Sequence, residues 1–388
     1  MIDEKIYRNF VIRLLLLVIL ILMIIGFINY YFDPYGIYSD QFLNQNKPMI
    51  NTHTRIHKTQ KIYLNQYDCV FIGTSRVEGS MAFDKDDSFL KKYCATYYNA
   101  GLSAANVLEV YLMLKLALKY SKPKKIFYGI DLFQFNASKI DLNNSNLNYF
   151  QKPFYTRITH LFSYDVLKDA YKTIDLSKKE QNFYNDNGSW DIEQNYFFKF
   201  RGIGIDKIFL ITEKAFYENF YYNFKYNNNN IDVWYHFIDI LKLIKEKKDV
   251  EFYLYINPYH VRIIEVEEMR LGYKNLEDWK KRLVLEIYKN LQMPFYDFSG
   301  YNFITTEEII KDKNSLEYFY DPSHVKKIVG KYILEKILEN KQRGDFGIKL
   351  DIHNIQEYLE DQRIKQKRWR EKHTKEIQEI KEFLLNHP

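Results

Sequence analysis

Hydrophobic residues follow different patterns along the chain, and each pattern predicts a different kind of element. Near the N-terminus, residues 14–32 (LLLLVILILMIIGFINYYF) contain no charged side chain over 19 positions. As a helix this segment would be about 28 Å long, close to the thickness of a bilayer core. Further along, short β-prone apolar runs alternate with segments whose apolar residues recur at helical spacing. The patterns together predict one membrane-spanning helix followed by an α/β domain.

Five apolar runs predict the strands of this domain. They are YDCVFIG (67–73), CATYYNAG (94–101), KKIFYGIDLF (124–133), DVEFYLYIN (249–257) and MPFYDFSG (293–300). Helical patterns stand between them: one is capped by Ser103 and ended by Pro123, one runs over 263–291, and a last one follows Pro322. Strands that alternate with helices in this way predict a three-layer α/β/α fold around a mostly parallel five-stranded sheet.

Three further segments do not follow this alternation. Residues 33–60 contain turn residues and little periodicity, which is typical of a tether on the domain surface. Residues 136–248 are too long for one crossover and contain several helical patterns, so we expect a helical insertion. Residues 341–388 are densely charged with a thin apolar stripe, which predicts a solvated, weakly packed helical extension or, alternatively, a partner-binding helix. The domain itself is expected to cover residues 61–340.

Charge adds an orientation to the predicted anchor. Lys5, Arg8 and Arg13 precede the apolar segment, and by the positive-inside rule they hold residues 1–13 in the cytoplasm. The apolar run is long and no A-x-A-like site follows it, which favours an uncleaved anchor over a cleaved signal peptide. The domain is therefore expected outside the cytoplasm.

The net charge argues against one class of partner, and the redox state of the two cysteines has two possible readings. A formal net charge of +6 over 388 residues, without a basic stripe, argues against nucleic-acid binding. An oxidising compartment would permit a disulfide between Cys69 and Cys94, but both lie in apolar strand-like segments, and we favour buried free thiols. Their spacing predicts no metal site.

A serine and an Asp-x-x-His pair are the candidates for chemistry. Ser75 directly follows the first strand, at the carboxyl edge of the sheet where ligands gather in open α/β folds. Asp321, Pro322 and His324 precede the last helix, with Asp321 expected as its N-cap and His324 in its first turn. If Asp321 orients the imidazole, His324 can take the proton of a serine hydroxyl. Alternatively, Ser75 is a turn residue and His324 a surface residue of a well-capped helix.

The serine and the Asp-x-x-His pair, taken together, resemble motifs of the SGNH or GDSL-like hydrolase superfamily, and the resemblance covers residues 61–340. The matching stretches are FIGTSR (71–76), NAGLSAAN (99–106) and DPSH (321–324). The resemblance implies a flavodoxin-like SGNH fold with Ser75 as the nucleophile and Asp321 and His324 as the acid–base couple. It also implies that the backbone N–H groups of Ser75 and Gly101 stabilise the oxyanion, with no cofactor and no metal.

Two positions depart from the family pattern. Thr74 stands where the family usually has an aspartate before the serine, and Asp131, in YGIDLFQF, stands where it has an asparagine. The second departure weakens the expected oxyanion hole, because one lost donor costs about 3 kcal/mol. Activity would then need another donor or a protonated Asp131; alternatively, Asp131 is a structural cap.

Other polar and aromatic residues are weaker candidates for substrate binding. Arg76 could hold an anionic group, although a surface ion pair is the alternative. Asn257 and His260, in YINPYH, could reach the same sheet edge or simply form the turn at Pro258. Aromatic residues near Trp190 and Trp234 could stack on sugars or belong to the core.

This chain resembles one branch of the superfamily in its predicted anchor, in the DPYG segment that follows the anchor at 33–36, and in the motifs that contain Ser75 and His324. That branch includes anchored proteins that act beside membrane-bound O-acyltransferases on alginate, peptidoglycan or teichoic acid. The resemblance implies a single-pass protein of the bacterial inner membrane, with a periplasmic domain that moves an acyl group, often acetyl, onto or off a cell-surface or cell-wall glycan. Its implied partners are that glycan and a multi-span O-acyltransferase. Acyl transfer and ester hydrolysis would use all of the residues named above, so the sequence does not distinguish these two reactions. The alternative to an enzyme is a non-catalytic protein that organises the acyltransferase complex.

Overall fold

A computed structural model of the protein describes residues 2–38, 46–142, 147–221, 223–228, 231–311 and 313–385. Its strands are β1 Cys69–Ile72, β2 Tyr97–Asn99, β3 Lys125–Ile130, β4 Asn227–Asn228, β5 Ile231–Asp232, β6 Glu251–Ile256, β7 Phe295–Asp297 and β8 Ile348–Leu350. Its α-helices are α1 Ile2–Phe32, α2 Thr54–Leu64, α3 Ser75–Ser80, α4 Ser88–Lys91, α5 Val107–Leu116, α6 Leu147–Gln151, α7 Pro153–Leu161, α8 Tyr164–Leu176, α9 Ile192–Lys199, α10 Ile205–Phe216, α11 Val233–Glu246, α12 Val261–Leu271, α13 Tyr273–Leu291, α14 Lys327–Glu339, α15 Ile355–Lys372 and α16 Thr374–Leu385. The chain divides into two compact units, residues 1–64 with 144–184, and residues 65–143 with 185–388.

The first unit is a group of helices around α1. The segment Glu4–Phe32 is long and apolar enough to cross a membrane, with a mean hydropathy of 3.2 in its most apolar window. Helices α7 and α8 pack against α1, and α2 packs against α6 and α7. Part of the expected tether is thus a folded helix, α2, whose Ile56 belongs to a small buried core. Residues 39–45 of the expected tether lie outside the described residues.

The second unit contains the sheet, which confirms the predicted mixed α/β class. Strands β2-β1-β3-β6-β7 are parallel neighbours, and β8 pairs antiparallel with β7 at the edge. Counted within this sheet, the parallel strands have the order 2-1-3-4-5, so the direction of winding reverses between β1 and β3. The expected number of five strands is wrong, because the three-residue strand β8 lies in the charged C-terminal extension.

Helices cover both faces of this sheet. Alternate strand residues such as Cys69, Phe71 and Phe127 share one buried core with residues of α3 and α14. Because successive side chains of a strand point to opposite faces, the residues between them face the other side. There α5 contacts β1, and α11 packs against both α5 and α13.

Several helix ends differ from the predicted ones. Helix α5 is capped by Asn106 in a capping box with Glu109, so Ser103 is not its cap. The predicted long helix over 263–291 is two helices, α12 and α13, separated at Gly272, whose φ of +84° ends the first. Helix α14 begins at Lys327, so neither Asp321 nor His324 belongs to it.

The insertion and the extension also differ from expectation. Helices α6 to α8 of the predicted insertion belong to the first unit, whereas α9 to α11 belong to the second. The C-terminal extension is firmly packed in the second unit: Tyr358, Leu359 and Trp369 of α15 are buried. Arg370 of the same helix forms an ion pair of 2.6 Å with Glu265.

The two cysteines form a disulfide. Cys69 at the start of β1 is bonded to Cys94, with the two Cα atoms 5.6 Å apart. The preference for free thiols is therefore wrong. Both residues are buried, and the bond joins β1 to the segment that leads into the neighbouring strand β2.

Candidate active site

Ser75 lies on a tight turn between β1 and α3. Thr74 is the N-cap of α3, and its hydroxyl accepts the N–H of Arg76. A side chain on Gly73 would place its Cβ 2.5 Å from Val77 and 2.8 Å from the Gly129 carbonyl oxygen, so only glycine fits there. Ser75 is the first residue of the helix and is 8 % exposed. Ser75 thus lies at a strand-to-helix turn, close behind the strand after which the sequence placed it.

Asp321 organises its own loop rather than capping a helix. Its Oδ1 atom accepts the backbone N–H groups of Ser323 and His324, both at 2.7 Å. The N–H of His260 donates to the carbonyl of Pro322 at 2.8 Å, which ties this loop to the start of α12. These hydrogen bonds fix the loop from two sides and present His324 beside the turn that carries Ser75.

The structure brings Ser75, His324 and Asp321 together. The Nε2 atom of His324 lies 2.9 Å from Ser75 Oγ, and its Nδ1 atom lies 2.8 Å from Asp321 Oδ2. An ionised carboxylate can only accept, so the ring proton belongs on Nδ1, and Nε2 accepts the serine hydroxyl. The arrangement is that of a nucleophile, a base and a carboxylate that orients the base. It joins positions 249 residues apart in the chain.

Two aromatic side chains that sequence reasoning did not assign to this site surround the His–Asp pair. The hydroxyl of Tyr196 donates to Asp321 Oδ2, and burial and the nearby carboxylate raise the pKa of Tyr196 well above its ordinary value. Burial by itself would raise the pKa of Asp321, but His324 and the hydrogen bonds hold it below the ordinary value. Trp190, for which the sequence left sugar stacking and core packing as alternatives, stands edge-on to the His324 ring at 5.5 Å. Asp321 is therefore maintained as an anion beside the imidazole.

Arg76 is buried beneath the site instead of facing a ligand. Its Nη1 atom donates to Asp131 Oδ1 at 2.7 Å, and its Nε atom donates to Ser323 Oγ at 3.1 Å. Its guanidinium stacks on the Tyr259 ring at 4.0 Å. Arg76 is thus neither the expected substrate ligand nor a surface ion pair. It links the turn of Ser75, the end of β3 and the loop of His324.

Asp131 accepts hydrogen bonds on both carboxylate oxygens. Besides Arg76 on Oδ1, its Oδ2 atom accepts the Thr74 hydroxyl at 2.6 Å and the Asn257 amide at 2.9 Å. Three donors, one of them charged, thus occupy both oxygens of this carboxylate, which is directed into the protein and away from an oxyanion at Ser75. The two departures from the family pattern, Thr74 and Asp131, therefore contact each other.

The backbone N–H of Gly101, expected at the oxyanion, is already used. It donates to Asn99 Oδ1 at 3.1 Å. A Cβ atom at this position would lie 2.9 Å from the Thr74 carbonyl oxygen, so the glycine permits a close approach to the serine turn. Of the expected oxyanion donors, the N–H of Ser75 is the one that donates no hydrogen bond within the part of the chain that the structure describes.

The remaining residues expected to bind substrate have structural roles. His260 is buried, caps α12 and lies 2.8 Å from the Glu307 carbonyl oxygen through Nε2; burial lowers its pKa to about 3. Asn257 is buried against Asp131. Trp234 is buried against Phe135 and belongs to the core. The sequence placed Asn257 and His260 correctly after β6, but tertiary packing directs their side chains inward.

Neither the protein-family models nor the curated proteins searched contain a match to this chain. The resemblance to the SGNH superfamily therefore rests on the short motifs around Ser75, Gly101 and His324. Among the described residues, no group of three or more His, Cys, Asp or Glu side chains could hold a metal ion.

Proposed function

We propose that the protein is a membrane-anchored, SGNH-type serine esterase or acyltransferase with a flavodoxin-like domain outside the cytoplasm. Its proposed substrate is an ester or thioester whose acyl group, often acetyl, is moved onto or off a cell-surface or cell-wall glycan. The hydrogen-bonded chain of Ser75, His324 and Asp321 is the observation that carries this proposal. The 2-1-3-4-5 strand order, with Ser75 following β1 and Asp131 following β3 where the winding reverses, supports it.

In the proposed reaction His324 Nε2 takes the proton of Ser75 while Oγ attacks the acyl carbonyl carbon. The tetrahedral intermediate collapses, and the leaving alcohol or thiol takes the proton from the imidazolium. A sugar hydroxyl or a water molecule then attacks the carbonyl carbon of the acyl-serine, and its proton passes to His324. The second tetrahedral intermediate breaks the bond to Ser75 Oγ, which takes this proton back from the imidazolium, and the acylated sugar or the free acid leaves. Asp321 keeps the imidazole oriented and stabilises its charged form throughout.

The oxyanion in this scheme is stabilised by the N–H of Ser75. A second donor would be available if Gly101 exchanged its bond to Asn99 for one to the oxyanion. Without that exchange, the loss of one donor lowers the rate by about 10²–10³-fold, so slow turnover is expected.

Covalent labelling with a fluorophosphonate probe tests the activated serine. The full-length protein in detergent should be labelled, and Ser75→Ala and His324→Ala should not. Ser88→Ala removes an exposed serine at the start of α4 and should be labelled like the wild type. A folded wild-type protein that resists the probe, or a Ser75→Ala variant that still reacts, would contradict the proposal.

Transfer and hydrolysis are distinguished by the acceptor. Release of acetate from an acetyl ester in the absence of glycan indicates an esterase. Release that depends on added glycan, with acetyl appearing on the sugar, indicates a transferase.

A non-catalytic organiser of a membrane O-acyltransferase complex is the second candidate. It is favoured by the engagement of Gly101 with Asn99 and of Asp131 with Arg76, which leaves the expected oxyanion hole incomplete. If Ser75→Ala restores surface-glycan acylation in a deletion strain as fully as the wild type does, this second function is correct.

A further inference from the structure

Helix α7 of the first unit has its apolar side chains on the outside. Phe154 and Ile158 lie on one face of α7, and Phe162, the residue directly after the helix, continues the same interval of four. These three side chains are 63, 42 and 43 % exposed. The side that packs inward is that of Pro153 and Thr156, which are buried. A helix at a water-exposed surface normally has the opposite arrangement.

The C-terminal end of α7 lies against the apolar helix α1. Gly26 of α1 is buried, and a Cβ atom there would lie 3.0 Å from the Phe162 ring and 3.7 Å from Leu161. Gly26 precedes the end of α1 at Phe32 by six residues, or about 9 Å along the helix axis. Phe162 is therefore level with the apolar part of α1, well inside the segment expected to cross the membrane.

Asn29 of α1 satisfies the backbone at this end of α7. Its side-chain amide donates to the carbonyl oxygens of His160, Leu161 and Ser163, at 3.3, 2.9 and 2.9 Å. The last carbonyl groups of a helix have no partner within the helix. Water can satisfy them at a protein surface, but inside a bilayer they need a donor from the protein. A buried asparagine in this position suits a helix end surrounded by lipid.

We infer that α7 is a second membrane element, lying in the bilayer interface beside α1 in the leaflet at the C-terminal end of α1. Its stripe of Phe154, Ile158 and Phe162 enters the acyl chains in the manner of an interfacial amphipathic helix. Lipid is the occupant because the stripe continues the open surface of α1, where Phe27 at the same level is 68 % exposed. Exposed Tyr155 suits the aromatic belt at the headgroups.

Single-cysteine spin labelling in the full-length protein tests this inference. Both native cysteines are held in the disulfide, so one introduced thiol can be labelled selectively. The positions are Ile158→Cys in the stripe, Leu20→Cys in α1 as the lipid reference, and Asp175→Cys on α8 as an exposed reference in the same unit. The protein is reconstituted into phosphatidylcholine–phosphatidylglycerol nanodiscs. Relaxation by oxygen, which concentrates in lipid, is compared with relaxation by a water-soluble nickel chelate.

The ratio of oxygen to nickel accessibility at position 158 should be several-fold higher than at position 175 and approach that at position 20. A ratio at 158 equal to that at 175, with position 20 in lipid, would overturn the inference while leaving the anchor intact. Protection from nickel at 158 only in native membrane vesicles, and not in nanodiscs, would also overturn it, because the occupant would then be a protein. None of these outcomes depends on the proposed chemistry at Ser75.

Discussion

The Arg76–Asp131 pair offers the sharpest test of how the site is held together. Asp131→Asn keeps the size of the side chain and removes its charge, which leaves the buried Arg76 without the carboxylate that it pairs with directly. Both side chains are at most 1 % exposed, and the closest N–O distance is 2.7 Å. Two unit charges about 4 Å apart attract by roughly 4 kcal/mol at an effective dielectric constant of 20. Removal of one partner of such a buried pair costs about 3–5 kcal/mol, mainly because the other charge stays uncompensated.

Asp84→Asn is a matched control for this change. Asp84 and Lys327 form an ion pair of 2.8 Å, but their side chains are 79 and 46 % exposed. The same substitution should therefore lower the free energy of unfolding by less than about 1 kcal/mol. The double variant Arg76→Met/Asp131→Asn removes both charges and should recover part of the stability lost in Asp131→Asn.

Urea unfolding of the full-length protein in detergent, followed by tryptophan fluorescence, measures these differences. The four tryptophans lie at positions 190, 234, 279 and 369, all within the unit that contains the sheet. Their signal therefore reports the unfolding of that unit. If Asp131→Asn were as stable as Asp84→Asn to within about 1 kcal/mol, the buried charge would not be the element that joins β1, β3 and the loop of His324.

Two further predictions concern the same unit and use the same measurement. Cys94→Ala removes the disulfide between two residues that are 25 positions apart. The entropy of closing a loop of that length predicts that the free energy of unfolding falls by about 3.5 kcal/mol. A fall of less than about 1 kcal/mol would argue against the disulfide. Burial lowers the pKa of His260 to about 3. Between pH 6.5 and pH 3, His260 is therefore protonated in the unfolded state but neutral in the folded state. Stability should therefore fall with pH below 6.5, by about 2 kcal/mol at pH 5. His260→Asn, which offers an amide oxygen to the Arg262 N–H in place of the ring Nδ1, should lack this component. Identical pH slopes in the two proteins would refute the assignment.

Much of the architecture could be predicted from local patterns. The apolar runs at β1, β3 and β6 and the charge-free segment within α1 are continuous in the chain, and burial imposes their composition directly. Ser75 and the Asp-x-x-His group were predictable for a similar reason. Each is a short motif next to a recognisable strand or turn, and parallel strands bring such ends to one edge of the sheet.

The partners of individual side chains were settled only by the tertiary structure. Arg76 and Asp131 are 55 residues apart, and their burial together depends on β1 and β3 being neighbours. The disulfide and the inward direction of His260 likewise arise where segments meet. A sequence pattern reports the environment of a segment, whereas a hydrogen bond or an ion pair depends on distances of a few tenths of an ångström between segments that only the folded chain brings together.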